Sequence, residues 1–260
     1  MGLKTLMIRV STIMYTPINI ILFLILMVIG LNGEIMDRTW EDTQEFRDIQ
    51  LKAANLAFPA KETDALFKTM GYGAAGDFLT NVMGQESTYG YQYKPEATHT
   101  MTQAQIDPIR YHELLEDIAN YPGWAKRAKT VNKYMQTKPG YKDWDITKLA
   151  DVDVQPKNVV PYAPGTGHVP YAVTSDNFDF SYNNISPYTQ DPITAFMLSR
   201  LMLTKDKKPI PVGPEEQASR WDSFWNRNPA PGTGQEEFLN KLNTFRPVEA
   251  TMNNYNKTKF

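Results

Sequence analysis

The sequence predicts a mainly α fold, interrupted by a proline-rich irregular insertion and preceded by an N-terminal hydrophobic helix. Three observations carry this prediction. Apolar side chains recur three to four residues apart through much of 40–135 and again from 191 to 242, the spacing that lines one face of a helix. Six prolines break residues 138–190, where no stable helix fits. Residues 18–31 are apolar except for Asn19 and Gly30.

In chain order, Lys4 and Arg9 precede the apolar run, and Glu34, Asp37, Glu41 and Asp42 follow it. The run would span about 21 Å as a helix, short of the roughly 30 Å hydrocarbon core. Residues 1–36 therefore read as a signal peptide or a membrane anchor, with a buried core helix as the alternative. The charge asymmetry puts the rest of the chain on the extracytoplasmic side, with the membrane met through this segment. Residues 37–60 read as a helical linker: Trp40, Phe46, Ile49 and Ala53 share a face, and Pro59 closes it. A second helix starts near Lys61, carries Leu66, Phe67 and Met70 on one side, and stops at Gly71 and Gly73. A third, over 74–85, has Phe78, Leu79, Val82 and Met83 as its apolar face.

Helical patterns return at 102–118 and 124–135. Within 138–190 only short strands fit, at 158–160 and 169–173. Helix resumes over 191–204, with Asp191 as N-cap and Pro192 at the first helical position, and again over 215–226. The last helix begins at Thr233, where Thr233 and Glu236 form a capping box, and runs through Phe238, Leu239 and Leu242. Residues 246–260 are a polar tail.

Composition narrows the function. The chain has 260 residues, 42% hydrophobic and 22% charged, which suits one substantial domain and excludes a polytopic membrane protein. Lys and Arg number 27 against 29 Asp and Glu, so nucleic acid is not the expected partner. With no cysteine there are no disulfides, Cys-ligated zinc or thiol nucleophiles. No metal is expected: His112-Glu113 lacks the second histidine of H-E-x-x-H, and a metallopeptidase would need two of His99, His112 and His168 to converge. No cofactor is expected either, since neither PGTG, at 164–167 or 231–234, continues into a phosphate loop.

The most informative stretch is GQESTYG at 84–90. Glu86 closes an apolar helix face beside aromatic residues, where partial desolvation raises a carboxyl toward the pKa of a general acid. The plain alternative is a solvated glutamate at a helix end. Downstream, TQAQIDP at 102–108 places Gln105 19 residues beyond Glu86. DPITAFML opens a helix at 191, and WDSFWN at 221–226 precedes the second PGTG. In this order the segments resemble the E-S-x-x-G, Q-I-x-P, D-P-helix and aromatic-Asn elements of lytic transglycosylases and related goose-type and phage lysozymes. The resemblance spans residues 61–245, with 138–190 as an insertion. Thr102 stands where that family usually has Gly, and Trp225 where it usually has a Tyr that contacts the catalytic carboxyl.

The resemblance implies a lysozyme-like helical domain that cleaves the β-1,4 bond between N-acetylmuramic acid and N-acetylglucosamine in peptidoglycan glycan strands. Glu86 would be the catalytic acid/base, and Ser87, Tyr89, Gln105, Trp225 and Asn226 would bind substrate; Tyr91 and Tyr93 are further candidates for stacking on sugars. A transglycosylase needs no second carboxylate, whereas a hydrolase does, with Asp77 and Asp107 nearest in sequence. The implied setting is an exported or membrane-anchored phage or bacterial protein, with virion association as a variant. The rival is a non-catalytic envelope or virion structural protein that keeps the fold as a binding platform. The two part at Glu86: a catalytic glutamate is shielded on one side by apolar groups, while a retired one is solvated or locked to a Lys or Arg.

Overall fold

Helix α6 (Pro192–Leu203) forms the centre of the fold, with every residue from Ile193 to Leu203 buried. Such a helix, apolar nearly all round, needs neighbours on all sides. In this computed structural model, which describes residues 43–93, 100–157, 177–206, 208–226 and 234–245, they are α2 (Ala57–Thr69), α3 (Gly76–Ser87) and α5 (Pro122–Gln136). Helix α4 (Pro108–Asn120) pairs with α5, and α8 (Gln235–Phe245) packs on α3 and on the short α7 (Pro214–Arg220). The chain divides into two units, Met1–Arg47 and Asp48–Phe260. The first is described only at 43–47, where α1 (Gln44–Asn55) begins. No helix among the described residues is long and apolar enough to cross a membrane. The apolar run at 18–31, the expected strands at 158–160 and 169–173, His99, His168, Thr233 and the tail at 246–260 lie outside the described residues.

The mainly α class holds, and several boundaries move for physical reasons. Pro59 does not close a helix. The break falls at Leu56, and Pro59 is the third residue of α2, where an N–H would have no intrahelical partner to lose. The helix expected over 102–118 begins only at Pro108, because residues 101–106 fold back as a tight turn bridged from Met101 to Ile106. Asp107 caps α4 by accepting from the Arg110 N–H at 2.7 Å. Asp191 sits at the N-cap position of α6, yet its side chain caps nothing there; its charge instead helps burial to raise the Tyr141 hydroxyl. The helix expected over 215–226 ends at Arg220, and Trp221–Trp225 winds as one π turn closed by Asn226 N–H to Trp221 O at 2.8 Å.

Sheet structure occurs within the 138–190 insertion, in strands other than those expected at 158–160 and 169–173. Strands β1 (Asp151–Pro156) and β2 (Phe178–Asn183) pair antiparallel, with Val152 opposite Tyr182 and Val154 opposite Phe180. Their apolar side lies on α4, where Tyr182 meets the Tyr111 ring at 6.1 Å and donates to Ile106 O at 3.1 Å. The hairpin thereby braces the turn at 101–106 that leads into the site.

Candidate active site

Glu86 is the penultimate residue of α3, and the packing of that helix fixes where its carboxyl can go. Phe78, Leu79, Val82 and Met83 are almost fully buried. At the N-terminal end the Asp64 carboxylate accepts from the Ala75 and Gly76 N–H groups at 2.8 and 3.0 Å, an N-cap supplied by α2. At the C-terminal end Thr88 and Tyr89 both take left-handed φ, 51° and 57°, so the chain reverses at once. Neither is Gly, and such residues cost of order 1 kcal/mol each. The reversal lays the Tyr89 ring against Gly84, where a Cβ would come within 2.7 Å of the ring. Burial pushes the Tyr89 hydroxyl up to about 12.

Ser87 is fully buried and its hydroxyl is committed. Its single proton goes to Gln103 O at 2.6 Å, with Met83 O at 3.1 Å as a second acceptor nearby, and its oxygen accepts from Gly90 N–H at 2.9 Å. It ties the helix end to the turn at 101–106 and presents nothing to a substrate. In that turn Thr102 and Gln105 have φ of 63° and 48°. The left-handed value at Thr102 is a physical reason for a Gly preference there. Thr102 meets the demand while fully buried, its Oγ1 accepting from Ala104 N–H at 3.3 Å. Gln105 then reaches back, and its side-chain amide donates to the backbone carbonyl of Glu86. Helix end and turn are thus joined twice.

The Glu86 carboxyl is half-buried, and Trp221 Nε1 donates to its Oε1 at 2.7 Å. Trp221 is itself clamped: its ring lies 5.6 Å from Phe238 of α8, and the backbone at Gly234 approaches so closely that a Cβ there would meet the ring at 2.7 Å. Burial pushes the Glu86 carboxyl up to about 7; the Trp221 hydrogen bond and the charges of Lys241 and Arg110 oppose this, and Glu237 adds to it. No Lys or Arg among the described residues forms an ion pair with it. Lys241 instead donates to Gln85 O at 2.7 Å and lies 3.6 Å from Glu237, which accepts from Gln85 at 2.9 Å. Arg110 is buried, bound to the carbonyls of Phe224 and Trp225.

The structure therefore brings together Glu86 and Gln105, as expected, and adds Trp221, Arg110 and Lys241. The expectation for Trp225 is corrected: it is Trp221 that meets the carboxyl, while Trp225 is buried and donates to Ala104 O at 3.1 Å. They stand four residues apart at the two ends of the π turn, and spacing alone does not tell them apart. Asn226 is exposed just past that turn, and Tyr89 is buried behind the helix end. Tyr91 is exposed and Tyr93 half-buried. Asp77 opens α3, at the end of the helix opposite Glu86. Asp107 is committed to capping α4 and to Arg110 Nε at 3.7 Å. Neither is set as a second carboxylate. Among the described residues no group of three His, Asp or Glu could hold a metal ion; His112 packs against Phe180 and lies 3.5 Å from Glu116. No protein-family model, curated protein or solved structure matches the chain.

Proposed function

We propose that the chain is a lysozyme-like peptidoglycan lytic transglycosylase with Glu86 as its single acid/base, exported or held at the membrane by residues 1–36. The observation that carries this reading is the Glu86 carboxyl: half-buried, held by an indole N–H, unpaired with any described cation, and raised to about 7. A carboxyl in that range is available both as acid and as base near neutrality.

The indole is a donor only, so Oε1 accepts in either protonation state and the proton resides on Oε2. Trp221 thus selects the oxygen that delivers the proton. In the reaction Oε2 protonates the glycosidic oxygen as the bond to C1 of the muramoyl sugar breaks, leaving an oxocarbenium-like centre. The resulting carboxylate then takes the proton of the same sugar's 6-hydroxyl while O6 bonds to C1. The product carries a 1,6-anhydro ring, Glu86 is again protonated, and no water is consumed. This route needs one carboxylate, in keeping with the other roles of Asp77 and Asp107. Gln105 and Ser87 serve as braces on the backbone around Glu86 rather than as sugar contacts.

The test is digestion of purified peptidoglycan by the full chain beside Glu86→Gln, with mass analysis of what is released. Anhydro-ended muropeptides from the wild type alone are expected. Reducing ends would make the protein a muramidase, and no release at any pH would favour the non-catalytic binding platform.

A further inference from the structure

A cleft of about 270 Å³ opens between α4, the start of α5, the end of α6 and the π turn. Ser223 and Phe224 line it, whereas Trp221 and Trp225 do not. Arg110 belongs to both places: it lines the cleft, and its charge reaches Glu86. The cleft therefore borders the candidate active site without containing the acid.

Its walls combine opposite charges with aromatic surface. Glu113 and Asp117 project from α4, and Lys205 faces them with Nζ 3.9 Å from Glu113 Oε2 and 2.9 Å from Asp117 Oδ2. Despite that proximity, Asp117 Oδ2 is buried and accepts no hydrogen bond from any described residue. The ion pair has the distance of a hydrogen bond without its angle. A ligand ammonium that takes the place of Lys205 Nζ would give this oxygen the aligned donor it lacks and free Lys205 for a ligand carboxylate. Lys205 is half exposed at the rim, within reach of a ligand carboxylate. Trp124 and Phe224 add apolar walls for an aliphatic stem, and an indole face also attracts a cation. A phosphate would find Lys205 and Arg110 offset by two carboxylates, and a neutral sugar would leave both charge signs unused. The combination fits a small group with an ammonium at one end and a carboxylate at the other.

We propose that this cleft binds the ammonium-bearing end of a peptide stem, the short peptide hanging from peptidoglycan strands, while Glu86 acts on the glycan. The inference rests on the peptidoglycan reading above. It makes stem-bearing strands the preferred substrate, and Asp117 and Lys205 determinants of that specificity.

Calorimetric titration of the full chain tests it. The probe is a free stem tetrapeptide with a side-chain ammonium and a terminal carboxylate, followed by the same peptide acetylated on the ammonium. The wild type binds the first peptide and binds the acetylated one at least about tenfold more weakly. Asp117→Asn, which keeps the side-chain shape, shows a similar loss, and Lys205→Met at the rim weakens binding with an unchanged melting temperature. Glu86→Gln binds as the wild type does. The proposal is overturned if the wild type binds neither peptide, if acetylation changes nothing, or if stem-free glycan displaces the peptide from the cleft. Should Asp117→Asn fail to fold, unaltered binding by Lys205→Met overturns it alone. Because the readout is binding, a chain that binds the peptide but releases no muropeptide refutes the catalytic reading and leaves the cleft standing.

Discussion

The Trp221 indole holds the Glu86 carboxyl, and on the proposed reading the first fixes orientation while the second would carry the proton. Trp221→Phe keeps the ring packed on Phe238 and removes the donor. That hydrogen bond lowers the Glu86 pKa, so its loss raises it further. The basic limb of the pH–rate profile should move upward while the rate falls by about tenfold to a hundredfold. A profile that keeps its basic limb would show that the indole is only packing. Glu86 also links stability to pH. Its folded-state pKa is raised from 4.5 to about 7, so between those values the folded state holds the proton that the unfolded state has released. Stability is therefore lost as pH rises through that window and levels off above it. Glu86→Gln has nothing to ionise, and its advantage over the wild type should grow across the window to at most about 3 kcal/mol. Denaturant titrations of both proteins along the pH series measure the difference.

At the scale of elements, the reversal after α3 and the turn at 101–106 build the site. Gly84→Ala drives a methyl into the Tyr89 ring, for which overpacking costs about 1–3 kcal/mol. Thermal melting measures the cost; an unchanged midpoint would mean that the helix end relaxes freely. These elements also mark how far the sequence could be read. The apolar faces of α2, α3 and α5 were legible, because a 3.6-residue period is a local signal, and α6, apolar nearly all round, was legible from Pro192 at its first turn. Glu86 was legible for the same reason, at the end of such a face. The turn at 101–106 was mistaken for helix, since its polar and small residues fit a helical period and its left-handed φ values at Thr102 and Gln105 have no glycine to announce them. The hairpin escaped notice because its apolar alternation, Val152 and Val154 against Phe178, Phe180 and Tyr182, is interleaved with Asp residues and split by a long connection. Which of Trp221 and Trp225 meets Glu86 was not legible, because they stand four residues apart in a π turn and π turns have no dependable sequence signature.

For the molecule as a whole, the site is an assembly of distant segments. Glu86 comes from α3, Gln105 from the turn before α4, Trp221 from the π turn and Lys241 from α8. Its integrity therefore depends on α8, whose Phe238 and preceding Gly234 hold Trp221 in place. Ending the chain after Asn226 should abolish muropeptide release and shift tryptophan fluorescence to the red, while α6 keeps its neighbours α2, α3 and α5 and far-UV dichroism stays helical. Retained release would mean that Trp221 needs no clamp. The central claim is that one carboxyl in this fold stays protonated toward neutrality. It is tested most directly by a carbon-13 NMR titration of glutamate side-chain carboxyls in the wild type and Glu86→Gln. A single resonance titrating near 7 and missing from the variant is the predicted result. If every glutamate titrates near the ordinary value of about 4.3, Glu86 is not the acid described above.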